Sequence, residues 1–232
     1  CGIGFKLIQG LNSFMGKTID DIKEYLDLVA LAIVADIVEL TGENRVLCYY
    51  GLQQINKSPR TGLKAIIDTL EKEIITINEL GFYTGPRINA AGRMDSGNLA
   101  VELLIEEDLD KTTGLAEKLN QLNIERRILD KETTQEAISQ IKKHKNEASS
   151  ATVVCNPDWH KGVIGIAASK LMDTYYRPTI VFTESNDLFV GSARSVNGYN
   201  IHAAIEKCKE FLVEFGGHKY AAGIKIKKPQ YK

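Results

Sequence analysis

Cysteine is scarce in this chain. There are four in 232 residues, and no two of them stand in a CxxC pair. That spacing offers neither a disulfide framework nor a zinc ligand set, so Cys1, Cys48, Cys155 and Cys208 read as reduced thiols of a cytoplasmic protein. No apolar run approaches the roughly 20 residues that cross a bilayer. The N-terminus has no basic segment leading into a short apolar core, so neither membrane insertion nor export is expected. Charge of one sign is also missing: the formal net charge is −1. A surface-wide polyanion trap is thereby excluded, and any nucleic acid would have to be held by a local cluster. The chain opens CGIGFKL without an initiator Met, which suggests a piece of a longer protein.

What is present is an ordinary globular composition, 44% apolar and 25% charged. The first part, to about residue 107, reads as mostly helical. Leu26 to Leu40 (LDLVALAIVADIVEL) is nearly continuously apolar and must be buried, its Ala content allowing a helix and its Val and Ile a strand. Two further helices are split by Ser58-Pro59. A long charged stretch over 108–146 has leucines at three- and four-residue steps and reads as a connecting helix. Arg126 occupies that stripe where an apolar residue was due; it either snorkels outward or meets a buried acid or a ligand. KNEASS, 145–150, reads as a bend. From 147 to 232 strands alternate with helices: ATVVCNP, GVIGIAASKLMDTY, TIVFTES, LFVGSARSV, NIHAAIEKCKEFLVEF and AAGIKIKK. The expected fold class is therefore α/β, with a helix-rich part over 1–107, a connecting helix, and a small α/β domain.

Several constellations could carry chemistry. Asp36 interrupts an apolar run, where a carboxylate is costly to bury unless paired or bound to a cation. It reads as a metal ligand or as a cap at a strand end. In GPRINAAGR, Pro86 suits the first turn of a helix whose amides attract an anion. Arg87, Asn89 and Arg93 would stand over a surface kept low by Ala90, Ala91 and Gly92. NPDWHKGVIG places Trp159 and His160 between a strand and a helix start; the indole could stack on a base or plug the core. In VGSARSV, Ser192 and Arg194 share one face of a strand and form the parts of a phosphate cradle, with Ser195 next to them. Last comes EFGGHKYAAG. Gly216 and Gly217 allow positive φ and close approach, and they flank His218, set after a helix and before a strand.

Taken in order, VADIVEL, GPRINAAGR, LNIERR, WHKGVIGI, GSARS and FGGHKYAAG resemble the single-stranded-DNA-specific exonucleases of the DHH phosphoesterase family, along essentially the whole chain. That resemblance implies the C-terminal portion of a DHH catalytic domain, a connecting helix, and a DHH-associated substrate-binding domain. It implies 5′-to-3′ hydrolysis of phosphodiester bonds with Mn²⁺ or Mg²⁺, in recombination and repair, with single-stranded DNA and repair proteins as partners. Asp36 would be a metal ligand and catalytic residue. Arg87, Asn89, Arg93, Arg126, Trp159, His160, Ser192, Arg194, Ser195, Gly216, Gly217 and His218 would meet the DNA, the glycine-rich segment lining a cleft. The three earlier metal motifs of that family are missing, since no two histidines are adjacent, so weak DNA binding and little hydrolysis are expected of these residues alone. A relative acting on short oligonucleotides or cyclic dinucleotides, and a non-catalytic nucleic-acid-binding relative, remain as alternatives.

Overall fold

Leu26 to Leu40 resolves its ambiguity by length and by burial all round. In the computed structural model, which describes residues 1–144 and 148–228, a helix forms over Leu26–Ala35 (α2), with Leu26, Val29, Ala30, Leu31, Ile33 and Val34 buried. A helix apolar on every side belongs at the centre of its neighbours. It packs with Phe5, Ile22, Cys48, Ile55, Leu63, Ile67, Ile75 and Leu80 in one cluster. Burial pushes the Cys48 thiol upward from its ordinary pKa, so this cysteine is a small apolar filler.

The other helices of the first compact unit, Cys1–Ile124, are α1 (Gly2–Phe14), α3 (Gly42–Lys57), α4 (Thr61–Asp68), the single turn α5 (Ile77–Glu79), α6 (Gly85–Met94) and α7 (Asn98–Ile105); α1, α3, α4 and α6 pack on α2, while α7 puts Leu99, Ala100 and Leu103 into a second cluster. As expected, Ser58-Pro59 separates α3 from α4, because the residue before proline is pushed out of the helical region. The long helix α8 (Leu109–Lys143) begins in this unit and continues into the second, Glu125–Lys232. The bend expected over 145–150 falls partly outside the described residues, which resume at 148.

The buried charge of the first unit is Asp27, not Asp36. Asp27 lies in the first turn of α2, where the helix dipole favours a carboxylate, and is 1% exposed. Arg60 grips it with two bonds, Nε to Oδ2 at 2.8 Å and Nη2 to Oδ1 at 2.9 Å, while its Nη1 donates to the Leu104 carbonyl at 3.2 Å. One guanidinium thus ties α2, the α3–α4 turn and the end of α7 together.

In the second unit a five-stranded sheet has the order β1-β2-β3-β5-β4. Its strands are β1 (Thr152–Cys155), β2 (Thr179–Ser185), β3 (Leu188–Arg194), β4 (Glu214–His218) and β5 (Ala221–Lys227). β1 and β2 are parallel, joined through α9 (Ile164–Tyr175); the other pairs are antiparallel. One face carries Phe182, Ala193, Ala222, Ile224 and Ile226, packed on Ile201 and Ile205 of α10 (Ile201–Glu206). The other face buries Val154 and Val181 under α9 and the second half of α8.

Two expectations are corrected here. The helix read over 200–215 is short, stopping at Glu206, with a 3₁₀ turn over Lys209–Phe211. The Gly-Gly-His segment does not lie between a helix and a strand: it is itself the edge strand β4, joined to β5 by the two-residue turn Lys219-Tyr220. Glycine has poor strand propensity, so nothing local announced the pairing.

Removing one partner of the Asp27–Arg60 pair leaves an uncompensated buried charge. Arg60→Ala should destabilise the first unit by about 3 kcal/mol, read by urea denaturation followed by far-UV circular dichroism; an unchanged midpoint would assign the pair no stabilising role. Acid acts on two carboxylates. The Thr76 hydroxyl and amide hold Glu79 below the usual carboxylate range, and the amides of Asp108 and Glu107 do the same for Glu106. A folded-state pKa lowered in this way contributes stability above the unfolded value of about 4.3, and loses it as pH falls through the folded one. Melting temperature should therefore begin to drop as pH falls below about 4.3, and Glu79→Gln should shrink that drop.

Candidate functional site

The second unit brings four of the expected residues onto one sheet face by register alone. Arg194 pairs with Ala221, and Ala221 with His218; Ser192 pairs with Gly223, and Gly223 with Gly216. Laterally paired residues point to the same side. The row that starts at buried Val181 on β2 therefore passes through Ser192 and Gly223 to Gly216, turning from apolar to hydroxyl to bare backbone. α9 covers the β2–β3 part of this face, and beyond it Gly223, Gly216 and His218 are exposed. The result is an open shelf floored by glycine, with a guanidinium at one side and an imidazole at the other.

The glycines on this hairpin are of two kinds. Gly217 has φ +144° and an added Cβ would fall 2.2 Å from the Ala221 carbonyl oxygen, so the backbone itself demands glycine. Gly216 and Gly223 have ordinary extended backbone, and a Cβ on either would meet nothing within 4 Å. Packing does not explain them. A ligand lying against the shelf would.

Arg194 is held rather than loose. Its Nε donates to Ser169 Oγ (3.2 Å), its Nη1 to Ser192 Oγ (3.1 Å) and to the Ala193 carbonyl (2.8 Å). Gly165, in the first turn of α9, lets the guanidinium pass: a Cβ there would stand 3.1 Å from Nη2 and 3.0 Å from Ser192 Oγ. Ser169 and Gly165 were missed from sequence. Their helical spacing of four was visible, but nothing local said which strand residue they would meet.

Trp159 is corrected to a core residue. It is 6% exposed within the α9-side cluster, and its Nε1 donates to Glu136 Oε2 on α8 at 2.8 Å. Asn156 donates to the same carboxylate at 3.2 Å, and Gln140 donates to the Cys155 carbonyl at 3.0 Å. The turn after β1 is thus clamped to α8, and what it presents outward is half-buried His160, whose Nδ1 accepts from the Gly162 amide at 3.1 Å. Ser195 is also structural: it is buried just past β3, and its Oγ donates to the Tyr199 carbonyl at 2.9 Å. Arg126 is half-buried on α8 and engaged within the protein.

In the first unit, Pro86 does sit in the first turn of α6, but that turn is not a free helix start. A π-type turn over Leu80–Thr84 leads into it, helical dihedrals run through Thr84 and Gly85, and the Gly85 amide already donates to the Leu80 carbonyl. The widened i→i−5 turn accommodates Pro86, whose ring would collide with the carbonyl four residues back. No free helix N-terminus is left to attract an anion. Ala90 and Ala91 are fully buried, so they serve packing and do not lower an exposed surface. Arg87 is half-buried, with Nε on Asn120 Oδ1 at 3.1 Å and Nη1 on the Tyr83 carbonyl at 2.9 Å. Asn89 and Arg93 share an exposed face of α6, one turn apart.

Asp36 is exposed at the C-terminal end of α2, a helix rather than a strand, so the cost of burial that first drew attention to it does not arise. Among the described residues its carboxylate has no hydrogen bond or ion pair, and it faces the negative end of a helix dipole, which favours a cation beside it. The start of α6 packs next to it, Gly85 lying against Ala35. Mn²⁺ and Mg²⁺ need several oxygen ligands. Among the described residues no group of three or more His, Cys, Asp or Glu could hold a metal ion, so the described donors do not by themselves make up the implied site. No described helix is long and apolar enough to cross a membrane.

Comparison with known proteins adds the following. The DHHA1 domain model matches residues 146–232. The single-stranded-DNA-specific exonuclease RecJ of Bacillus subtilis (strain 168) is 39% identical over 230 residues, 97% of this chain and 28% of that protein. RecJ of Escherichia coli (strain K12) is 32% identical over 251 residues, 100% of this chain and 44% of that protein. Among solved structures, RecJ in complex with Mg²⁺ from Thermus thermophilus superposes with TM-score 0.85 at 29% identity, over 96% of this chain and 34% of that one. An exonuclease RecJ bound to manganese gives 0.86 at 29% identity, over 99% of this chain and 57% of that one. The chain thus spans between about a quarter and a half of the length of these curated relatives.

The two kinds of glycine should separate in stability. Gly217→Ala should cost about 2 kcal/mol, whereas Gly216→Ala and Gly223→Ala should be neutral or gain up to about 1 kcal/mol. Urea denaturation followed by Trp159 emission reads this unit directly, since the chain has one tryptophan. Equal losses at all three positions would make the shelf a packing feature.

Proposed function

The chain carries a DHHA1 domain and is similar to RecJ along nearly its whole length, and from that premise we propose that it is the strand-holding part of a metal-dependent exonuclease acting on single-stranded DNA. The observation that carries the reading is the Gly216–Gly223 pair. Two glycines with open space where side chains would fit leave backbone bare in front of Arg194, Ser192 and His218, and a sugar-phosphate chain is a ligand that needs such close approach. Arg194 supplies the charge, its orientation set by Ser169 and Ser192. His218 and the Ser192 hydroxyl supply hydrogen bonds to phosphate oxygens. Asn89 and Arg93 form a second phosphate-facing pair in the first unit, on the helix that starts beside Asp36.

Asp36 would give one carboxylate to a Mn²⁺ or Mg²⁺ site whose other ligands lie outside this sequence. When bound, such a metal activates the attacking water and offsets charge on the phosphoryl group. These residues bind and orient the strand; they do not hydrolyse it unaided.

Binding of a fluorescent oligothymidylate should weaken steeply with salt, and Arg194→Ala should lower the slope against log salt by about 1. The pair Gly216→Ala with Gly223→Ala should abolish binding while leaving the fold intact. Competition by long single strands but not by dinucleotides separates this reading from action on short substrates. Tight binding by the double-alanine variant would sink it.

A further inference from the structure

Two histidines of the second unit, His160 in the turn after β1 and His218 at the end of β4, carry the same local device. The Gly162 amide donates to His160 Nδ1 at 3.1 Å, and the Tyr220 amide donates to His218 Nδ1 at 3.3 Å. In each case the donor is the backbone N–H two residues further on. Neither His144 nor His202 has such a bond among the described residues; His202 instead sets its ring beside Phe215, 5.6 Å between centroids. A ring nitrogen that accepts an N–H must present its lone pair, so the proton of the neutral ring resides on the other nitrogen.

We infer that backbone amides hold His160 and His218 in the tautomer with the proton on Nε2, and that each ring meets a phosphate oxygen as a donor through Nε2–H. This rests on the strand-holding reading above and adds the division of labour within it. Arg194 is the guanidinium of the shelf, and the two Nε2–H groups supply direction. The amides of Gly162 and Tyr220 are positioning groups: they fix which nitrogen faces outward and do not touch the ligand. The clamp of Glu136 on Trp159 and Asn156 serves the same end for His160, because it holds the turn from which the imidazole projects.

The test has two arms on the 232-residue chain. Long-range proton–nitrogen spectra of the ¹⁵N-labelled protein at about pH 8, without ligand, should show a protonated Nε2 and a bare Nδ1 on both rings. A dominant Nδ1–H form on either ring overturns the inference. In the second arm, glutamine and asparagine replace each histidine in turn, because the amide nitrogen of glutamine overlies Nε2 and that of asparagine overlies Nδ1. With oligothymidylate as the probe, His218→Gln and His160→Gln should bind within about threefold of the parent, and the asparagine variants about tenfold more weakly, the worth of one hydrogen bond. Equal loss in both, or the reverse order, overturns the donor assignment. Arg194→Ala run in parallel distinguishes the two levels. If it binds as the parent does, the strand-holding reading fails and takes the donor role with it. If it fails to bind while the tautomers are wrong, that reading stands and only the inference falls.

Discussion

A β-sheet face has to be covered by something, and in the second unit α9 covers only part of one. Under that helix the rows run from valine on β2 to serine and arginine on β3; past its edge they become glycine and histidine. The change is abrupt because pleating gives each strand only alternate residues to place on a face. Ala222, Ile224 and Ile226 of β5 are committed to the opposite core, so Ala221, Gly223, Lys225 and Lys227 are what β5 presents on the open side, the first two beside Arg194 and Ser192. Small residues there leave the backbone of two strands accessible along a shelf. The rest of the unit is arranged to keep that shelf in order. Ser169 and Gly165 fix Arg194 across the first turns of α9, and Glu136 anchors the turn that carries His160.

The first unit divides its carboxylates by the same physics. Asp27 and Asp36 sit at opposite ends of one apolar helix. The N-terminal acid is buried, favoured by the dipole and satisfied by a bidentate arginine. The C-terminal acid is exposed and opposed by the dipole, with no partner among the described residues. One is a structural bracket and the other is available to an external cation. The proline of α6 tells a related story: placed inside a continuous helical path rather than at its start, it is tolerated because one turn widens.

Much of the architecture could be read in advance, and the reasons are specific. β2 was legible to the residue because TIVFTES is bounded by proline on one side and an Asn-Asp turn on the other. The long helix was legible from its leucine spacing and its lack of proline. What misled was short and local. EFLVEF has the composition of a helix end, yet its last residues pair with β5, since the core on the α10 face rewards Phe215 there. The tryptophan could not be separated from a stacking platform by its neighbours alone; only Glu136, 23 residues earlier, reveals its role.

The amino-acid order by itself determined the residue types that can grip a phosphate, the apolar runs that must be buried, and the likeness to a known family, because each of these depends on spacing within one segment. Which of those residues face the same way was decided by tertiary structure. Strand register set Arg194, Ala221 and His218 in one row although up to 27 residues separate them in sequence. The same packing sent Trp159 inward, tied up Arg87 and Ser195, and left Asp36 outside. A side chain's availability depends on the neighbours the fold brings to it, and those neighbours are distant in the chain.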